Sequence, residues 1–314
     1  MKTTFAIGCL IQWYEADVIG EYLDSLADAV KYYDGEVLID LLLVTNEDLE
    51  KCESLELKEL AIQKTRNVAS KHKIKLRETS DLVTIADYRR LFNETFCTKV
   101  DVLIWGESDM LVPQQCFFIL DSLHNNVQTP KYLATFGICK MWDDSWKILE
   151  HPKFTDKPFF DSPYDFNPEE HWWSLRYTMT KEEMDKINSE TEELQITVAP
   201  QHKFNGCGLI ISSEVIKAGV NIPQSVFFVH EDTSFMLMTQ KILGNIPQYI
   251  IKNILVVHNR NHPKKRMWVA GEEGDTMNKR RRSNNWYVKA NKLSEENCYN
   301  LFNPNYKSFS WKDV

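Results

Sequence analysis

Short apolar runs alternate with helix-like stretches through the first half of the chain, and this alternation constrains the fold more than any other feature. The apolar runs cover residues 4–11, 37–44 and 100–105, as expected of buried strands. Between them lie stretches whose apolar residues recur at helical spacing, as Val18 and Tyr22 do. Strands that alternate with helices build stacked βα units. The sequence therefore predicts an α/β fold with a mostly parallel central sheet flanked by helices.

The same patterns predict the remaining elements. We expect helices over residues 17–32, 55–73, 85–97 and 233–243, and further strands over 73–78, 209–212 and 250–257. Residues 136–203 are rich in Trp, Phe, Pro and acidic residues with weak periodicity, which predicts long loops around a helix near 181–194.

The composition is typical of a globular enzyme. The chain has 314 residues, 43% hydrophobic and 26% charged, which excludes disordered and collagenous chains. Its seven cysteines are scattered and never form a C-x-x-C pair, so we expect neither a disulfide framework nor a thiolate zinc site. No apolar run approaches the roughly 18 residues that cross a bilayer, and no cleavage signature follows Met1. We therefore expect a cytoplasmic protein.

Positive charge is concentrated near the C-terminus of an acidic chain. Residues 252–292 hold eleven Lys or Arg against three Asp or Glu, a local charge of +8 in a chain of net charge −8. A basic segment on an acidic protein commonly meets phosphate, in a nucleotide, a nucleic acid or an anionic lipid. The alternative is a solvated basic face that binds no partner.

Two carboxylates follow the predicted strand 100–105, one residue apart. Side chains of an extended segment repeat every two residues, so Glu107 and Asp109 lie on one face. Such a pair suits Mg²⁺ or Mn²⁺, which take a few oxygens from the protein and the rest from phosphate and water. A solvated acidic turn is the alternative interpretation.

A second acidic pair, Glu231 and Asp232, opens the predicted helix 233–243. Negative charge is favoured at the start of a helix, so Asp232 could be an N-terminal cap and nothing more. A carboxylate there could equally act as a general base that takes a proton from an acceptor hydroxyl, if it faces a pocket.

A histidine and several cations follow the predicted strand 250–257. His258 stands at the strand end, with His262 behind it, and an imidazole near two carboxylates would complete a metal site of mixed nitrogen and oxygen ligands. The cations that follow, Arg260 and Lys264 among them, would meet a diphosphate.

Several common nucleotide and hydrolase motifs are missing from the sequence. Gly206-Cys207-Gly208 lacks a third glycine and precedes a strand, so it is not a dinucleotide fingerprint. The chain also has no G-x-x-x-x-G-K-[ST] loop and no G-x-S-x-G elbow. A Rossmann dehydrogenase, a P-loop NTPase and an α/β-hydrolase are therefore disfavoured.

Taken in order, these motifs resemble those of GT-A glycosyltransferases, especially the family 2-like group that uses nucleotide-activated sugars. The resemblance spans about residues 3–260, and residues 5–26 resemble that group's opening strand, nucleotide loop and helix. Glu107-Ser108-Asp109 resembles the D-x-D signature, Glu231-Asp232 the acidic pair of the acceptor-side helix, and His258 the late metal ligand. Three departures leave the base and sugar open: Glu107 begins the D-x-D element, Thr45-Asn46-Glu47 replaces an Asp-rich turn, and an aromatic-rich insertion on the acceptor side has no counterpart in the group.

The resemblance implies a GT-A domain over residues 1–262, with a nucleotide-binding half over 1–113, an acceptor half over 114–262, and a basic C-terminal extension over 263–314. It implies Mn²⁺ or Mg²⁺ on Asp109 and His258, with Glu107 on the metal or the ribose. The donor is a nucleotide-diphosphate sugar, most simply a UDP-sugar. The residues that we expect beside it are Trp13, Glu15, Asn46, Asp87 and Arg90, with Arg260 and Lys264 on the diphosphate. If the reaction inverts the anomeric centre, Asp232 is the implied base, beside Glu231.

The acceptor is less constrained by the sequence. The basic segment from Lys264 to Lys292 includes Lys279-Arg280-Arg281-Arg282, which could follow a phosphate backbone. The leading specific acceptor is therefore a hydroxymethylated pyrimidine in phage DNA, in the host cytoplasm, with Trp172, Trp173 or Trp286 available to stack on an extruded base. A polysaccharide, a protein or a small glycoside is a comparable acceptor. A metal-dependent nucleotidyltransferase and a non-catalytic sugar-binding module are the alternatives from other classes.

Overall fold

Nine strands form one sheet in a computed structural model that describes residues 2–49, 54–139, 179–199, 204–259 and 284–314. The strands are β1 (Phe5–Gln12), β2 (Val37–Val44), β3 (Leu76–Thr79), β4 (Val102–Trp105), β5 (Met110–Leu111), β6 (Leu133–Cys139), β7 (Ile196–Ala199), β8 (Ile210–Ser212) and β9 (Gln248–His258). The helices are α1 (Ile19–Tyr32), α2 (Leu55–Lys71), α3 (Ile85–Phe96), α4 (Cys116–Asn126), α5 (Lys181–Ser189), α6 (Ser213–Lys217), α7 (Glu231–Leu243) and α8 (Asn284–Tyr299).

The strand order is β3-β2-β1-β4-β8-β6-β9-β5, and β7 also pairs with β9. Strands β1 to β4 are parallel to their neighbours among themselves. Strand β8 runs antiparallel to both β4 and β6, and β6 is parallel to β9. Strands β5 and β7 run antiparallel to β9. Most strands therefore point in one direction, which confirms the predicted α/β fold with a mostly parallel sheet.

Alternate residues of β1 enter two cores on opposite faces of the sheet. Phe5 and Ile7 belong to a cluster that includes residues of α1 and α4, whereas Ala6 and Leu10 pack with residues of α3 and α7. The whole of β1 is buried, which explains its continuous apolar sequence. The helices thus cover both faces of the sheet.

A glycine lets α3 pack directly on β1. A Cβ added to Gly8 would lie 2.5 Å from the ring of Phe92, so a larger residue would push the helix away. Thr84 begins α3, where its hydroxyl accepts a hydrogen bond from the backbone N–H of Asp87 at 3.2 Å. The close approach fixes α3, and with it Arg89, against the central strands.

The elements that the sequence predicted are confirmed, with bounds that differ by three residues or fewer for the strands and for α1, α2, α3 and α7. The predicted loops over residues 136–203 are wrong where the structure describes them, because β6 and β7 fall partly or wholly in that range. Helix α5 confirms the predicted helix there but ends at Ser189. Among the described helices, none combines the length and apolarity that crossing a membrane requires.

The C-terminal residues contact the segment that leads into α7. The hydroxyl of Ser294 donates to the carbonyl of Val229 at 2.7 Å and accepts from its N–H at 3.3 Å. The side chain of Asn297 donates to the carbonyl of Ser225 at 2.7 Å. The rings of Trp286 and Trp311 stack with their centroids 5.7 Å apart. Helix α8, which lies in the expected C-terminal extension, therefore packs beside the start of α7.

Candidate active site

The ends of β4 and β9 bring the predicted metal ligands together. Glu107 and Asp109 lie between β4 and β5, and β5 pairs with β9 so that Met110 is opposite His258. The carbonyl of Asp109 accepts the N–H of Asn259 at 2.8 Å, which extends this pairing by one residue. The pairing of β5 with β9 therefore places His258 beside Glu107 and Asp109.

The three side chains have a spacing that fits a divalent cation. His258 Nε2 lies 2.9 Å from Glu107 Oε2 and 3.5 Å from Asp109 Oδ1. Neighbouring ligand atoms around an octahedral ion at 2.0–2.1 Å are about 3 Å apart, so small side-chain shifts would admit Mg²⁺ or Mn²⁺. Asp109 and His258 are buried, whereas the Glu107 side chain is 22% exposed and gives solvent access. The residues present therefore fit the implied metal.

A buried arginine links this cluster to the second acidic pair. Arg89 of α3 donates from Nη2 to Glu107 Oε1 at 2.7 Å and from Nη1 to Glu231 Oε1 at 2.5 Å. Its Nη2 also donates to the carbonyl of Gly206 at 3.0 Å, and its guanidinium lies 4.7 Å from the centroid of the Trp105 ring. A Cβ at Gly206 would collide with the guanidinium, so glycine is required at that position.

Arg89 had no assigned role in the sequence analysis, although a signal for one exists. It shares the buried face of α3 with Tyr88, Phe92 and Asn93, and a charged residue at such a position requires a partner. The neighbouring Arg90 is not among the buried residues of α3, so its position does not by itself require a charged partner.

The charged groups of this cluster shift one another's pKa values. The pKa of Glu231 is raised from 4.5 to about 7, mainly by burial; Arg89 lowers it, and the nearby carboxylates of Asp232 and Glu107 contribute to the rise. Burial by itself lowers the pKa of Arg89, but Glu107 and Glu231 outweigh it, so the net shift is upward. Arg89 therefore stays a cation between two carboxylates.

The second acidic pair lies at the start of α7, after a residue in a strained conformation. His230 is the N-cap of the helix and has φ 68° and ψ 22°, which is uncommon for a non-glycine residue. Asp232 is therefore not the N-cap, which corrects the capping alternative. Its Oδ1 accepts from the N–H of Thr233 at 2.6 Å, and its Oδ2 accepts from the N–H of Gly206 at 3.1 Å.

Three of the residues predicted beside the donor, Trp13, Glu15 and Asn46, follow the carboxyl ends of β1 and β2, on the edge that carries Glu107. Glu15 is buried and accepts the N–H of Gln12 at 2.9 Å. Asn46 donates to the carbonyl of Ser80 at 3.0 Å. Trp13 is fully buried in the core, so its ring offers no face to a base in this conformation.

Asp87 and Arg90 bind each other and the protein. Arg90 donates to Asp87 at 2.9 Å, and its other hydrogen bonds go to the carbonyls of Ile222, Pro223 and Val226 at 2.8–2.9 Å. Arg90 thus fastens α3 to the segment before α7. Arg260, Lys264, His262, Trp172, Trp173 and the cluster 279–282 lie outside the described residues.

A thiol also lies at this site, although the spacing of the cysteines in the sequence gives no sign of it. Ligand atoms of Glu107, Cys207 and His258 all lie within 4.8 Å of one another. Cys207 is buried, in the turn that precedes β8. Cys207 is far from the other cysteines in the sequence, and only the strand topology brings it close to Glu107 and His258.

Comparisons with known proteins give structural neighbours only. No protein-family model matches the chain, and no curated protein matches it. Among solved structures, S. aureus TarS 1-349 in complex with UDP-GlcNAc has 11% identity and a TM-score of 0.45 over 97% of this chain and 68% of that one. M. tuberculosis glucosyl-3-phosphoglycerate synthase with Mn²⁺, UDP and glucosyl-3-phosphoglycerate has 14% identity and a TM-score of 0.43, over 83% of this chain and 73% of that one. In another structure of TarS 1-349, this chain covers 60% of that crystallised segment.

Proposed function

We propose that this chain is a metal-dependent glycosyltransferase of the GT-A type, which moves a sugar from a nucleotide-diphosphate sugar to an acceptor hydroxyl with inversion. The observation that carries the proposal is the joint placement of two acidic pairs. Glu107 and Asp109 lie beside His258 at one sheet edge, and Arg89 ties Glu107 to Glu231 at the start of α7. One pair can hold the donor while the other handles the acceptor proton.

On the donor side, Asp109, Glu107 and His258 would hold Mn²⁺ or Mg²⁺. The bound ion would neutralise charge that develops on the leaving diphosphate. Glu15, Asn46 and Asp87 would lie beside the nucleoside, and Arg260 and Lys264 would add positive charge at the phosphates. We propose a UDP-sugar as the donor. UDP-GlcNAc, which is bound in a TarS structure, is a practical first compound to test.

On the acceptor side, Asp232 would take the proton of the attacking hydroxyl. Asp232 is only partly buried, and the hydrogen bonds that its carboxylate accepts from two backbone N–H groups hold it in position. Glu231 is more deeply buried and engaged by Arg89, which suits a supporting role. The preference for inversion rests on this carboxylate pair.

The acceptor that we propose first is a hydroxymethylated pyrimidine in DNA, in the cytoplasm of a phage-infected host. The support is the charge of the segment from Lys264 to Lys292. Trp286, one of three candidates for stacking on a base, packs against Trp311 and Phe228 instead. A polysaccharide, protein or small glycoside acceptor is the alternative outcome of the same experiment.

A nucleotide-sugar panel with Mn²⁺ tests the activity. Each compound is scored by its hydrolysis and by the rise in melting temperature that it produces, with and without the metal. We expect one UDP-sugar to give both responses and the chelated protein to give neither. Turnover of a nucleoside triphosphate with release of pyrophosphate would replace the proposal with a nucleotidyltransferase. A metal-dependent rise in melting temperature without any turnover or transfer would indicate a binding module.

A further inference from the structure

We propose that Cys207 is a ligand of the metal site, so that Glu107, Cys207 and His258 bind Zn²⁺ or Co²⁺ more tightly than Mn²⁺. The three ligand atoms lie within 4.8 Å of one another. One thiolate, one imidazole nitrogen and one carboxylate oxygen make three protein ligands, which leaves a fourth tetrahedral position open, as in catalytic zinc sites. The inference concerns the site of the proposed function, but it does not require that a sugar be transferred.

The ligand chemistry sets the order of affinities. Carboxylate and water suit Mn²⁺ and Mg²⁺, whereas a thiolate favours softer cations, and Zn²⁺ and Co²⁺ already exceed Mn²⁺ in the general order of divalent affinities. A site built from Glu107, Asp109 and His258 alone would lack the thiolate. Cys207 therefore changes which ion the site prefers.

The turn that carries Cys207 is held rigidly, which favours a preorganised ligand. The N–H of Cys207 donates to the side-chain oxygen of Asn205 at 3.0 Å, and the N–H of Gly208 donates to the carbonyl of Trp105 at 2.9 Å. Gly208 has φ 68°, a conformation that glycine adopts without strain. Gly206 is held on one side by Asp232 and on the other by Arg89.

The three ligand atoms would need only small movements to surround a zinc ion. Ligand atoms on a tetrahedral zinc, at 2.0–2.3 Å from the ion, are about 3.3–3.7 Å apart. Glu107 and His258 already approach to 2.9 Å, and the partly exposed Glu107 side chain is held by Arg89 through Oε1, so that Oε2 is directed at His258. Closure of the three groups around an ion by about 1 Å therefore requires side-chain rotation and no movement of the sheet.

Cobalt spectroscopy tests the assignment without any substrate. Addition of Co²⁺ to the metal-free full chain is expected to produce an intense near-ultraviolet thiolate-to-metal band. Cys207→Ser should remove the band and weaken Co²⁺ and Zn²⁺ binding by about tenfold or more, while Mn²⁺ affinity stays within about threefold. Cys116→Ser is the matched control, because Cys116 is equally buried on α4 and burial alone raises the pKa of its thiol. That variant should keep the band.

A second measurement covers the case in which Cys207→Ser does not fold. The zinc X-ray absorption spectrum of the wild-type chain should show one sulfur neighbour at about 2.3 Å. A spectrum with nitrogen and oxygen neighbours only, or a cobalt band that Cys207→Ser retains, would overturn the inference. Mn²⁺-dependent donor hydrolysis together with a missing sulfur ligand would leave the proposed function standing, and a sulfur ligand without any sugar transfer would leave only the metal site.

Discussion

Arg89 Nη1 lies 2.5 Å from Glu231 Oε1, a contact between residues 142 positions apart in the chain. The same guanidinium donates to Glu107 Oε1 at 2.7 Å. One buried cation therefore joins the carboxylate beside the proposed metal site to the carboxylate at the start of α7. Because the group is shielded from water, a change in charge at one carboxylate acts strongly on the other.

Removal of this cation should destabilise the protein. Arg89→Ala leaves Glu107 and Glu231 without their shared counter-charge and opens a space beside Trp105. We expect the free energy of unfolding to fall by about 3–5 kcal/mol, the cost of breaking a buried ion pair by removing one partner. Urea unfolding of the variant and the wild type measures the difference.

The matched control is Arg66→Ala, which removes an equally well-formed ion pair at the surface. Arg66 pairs with Glu78 at 2.7 Å, but the two side chains are 41% and 34% exposed. Its loss should cost about 0–1 kcal/mol. Equal effects of the two substitutions would contradict a special role for Arg89.

The shifted pKa of Glu231 predicts a pH dependence of stability. Its folded-state pKa is raised from 4.5 to about 7, so the folded protein retains a proton that the unfolded chain releases. The stabilising contribution is full below about pH 4.5 and is lost as the pH rises through about 7. Relative to Glu231→Gln, which does not titrate there, the wild type should lose on the order of 3 kcal/mol over this interval. The urea midpoints of both proteins at a series of pH values measure this loss. Parallel curves for the two proteins would show that the pKa of Glu231 is not raised.

The acidic residue beside the metal site should be required for donor binding. Asp109→Asn keeps the size of the side chain but removes its charge, so Mn²⁺-dependent binding of the donor should disappear. Calorimetric titration of the nucleotide sugar, with and without Mn²⁺, measures this loss. Asp34→Asn is a suitable control because Asp34 is an exposed carboxylate paired with Lys2. Full metal-dependent binding by Asp109→Asn would remove this residue from the site.

The proposed base should affect transfer and not donor binding. Asp232→Asn keeps only one of the two oxygens that accept the N–H groups of Thr233 and Gly206, and it cannot take a proton. We expect the transfer rate to fall by about 10² to 10⁴ with unchanged donor affinity. The companion variant is Glu231→Gln. An inactive Glu231→Gln beside an active Asp232→Asn would reverse the two roles.

Much of the fold could be predicted from the sequence, because β1 and β4 are buried along their whole length, β2 is buried over its second half, and all three are mostly apolar. Strand β7 was missed for the opposite reason: it is four residues long and alternates between exposed and partly buried positions. Helix α4 was missed as well, although most of its apolar residues enter the core beside α1. Local periodicity is a weak signal in such short segments.

The site was partly predictable for the same physical reason. Glu107, Asp109 and His258 could be proposed because each follows an apolar strand, and strand ends meet at one sheet edge. Arg89 and Cys207 could not, because their places depend on how α3 packs against Gly8 and on how the turn before β8 is held. Those are tertiary contacts that the spacing of residues along the chain does not encode.

The basic segment from Lys264 to Lys292 has a net charge of +6 and should bind the phosphates of a DNA acceptor. A donor diphosphate would account for the cations nearest His258 but not for the cluster Lys279-Arg280-Arg281-Arg282, which follows much later in the chain. If the cluster contacts duplex DNA, affinity should fall steeply with salt, with a slope of about 0.9 per phosphate neutralised. Replacement of Arg280, Arg281 and Arg282 by Ala should flatten this slope and leave hydrolysis of the donor unchanged. Lys289→Ala and Lys292→Ala provide the comparison, because both lysines are exposed on α8 and lie outside the cluster. Undetectable DNA binding at low salt, with a normal rate of transfer to a neutral oligosaccharide by the triple variant, would assign the acceptor to the polysaccharide, protein or glycoside class.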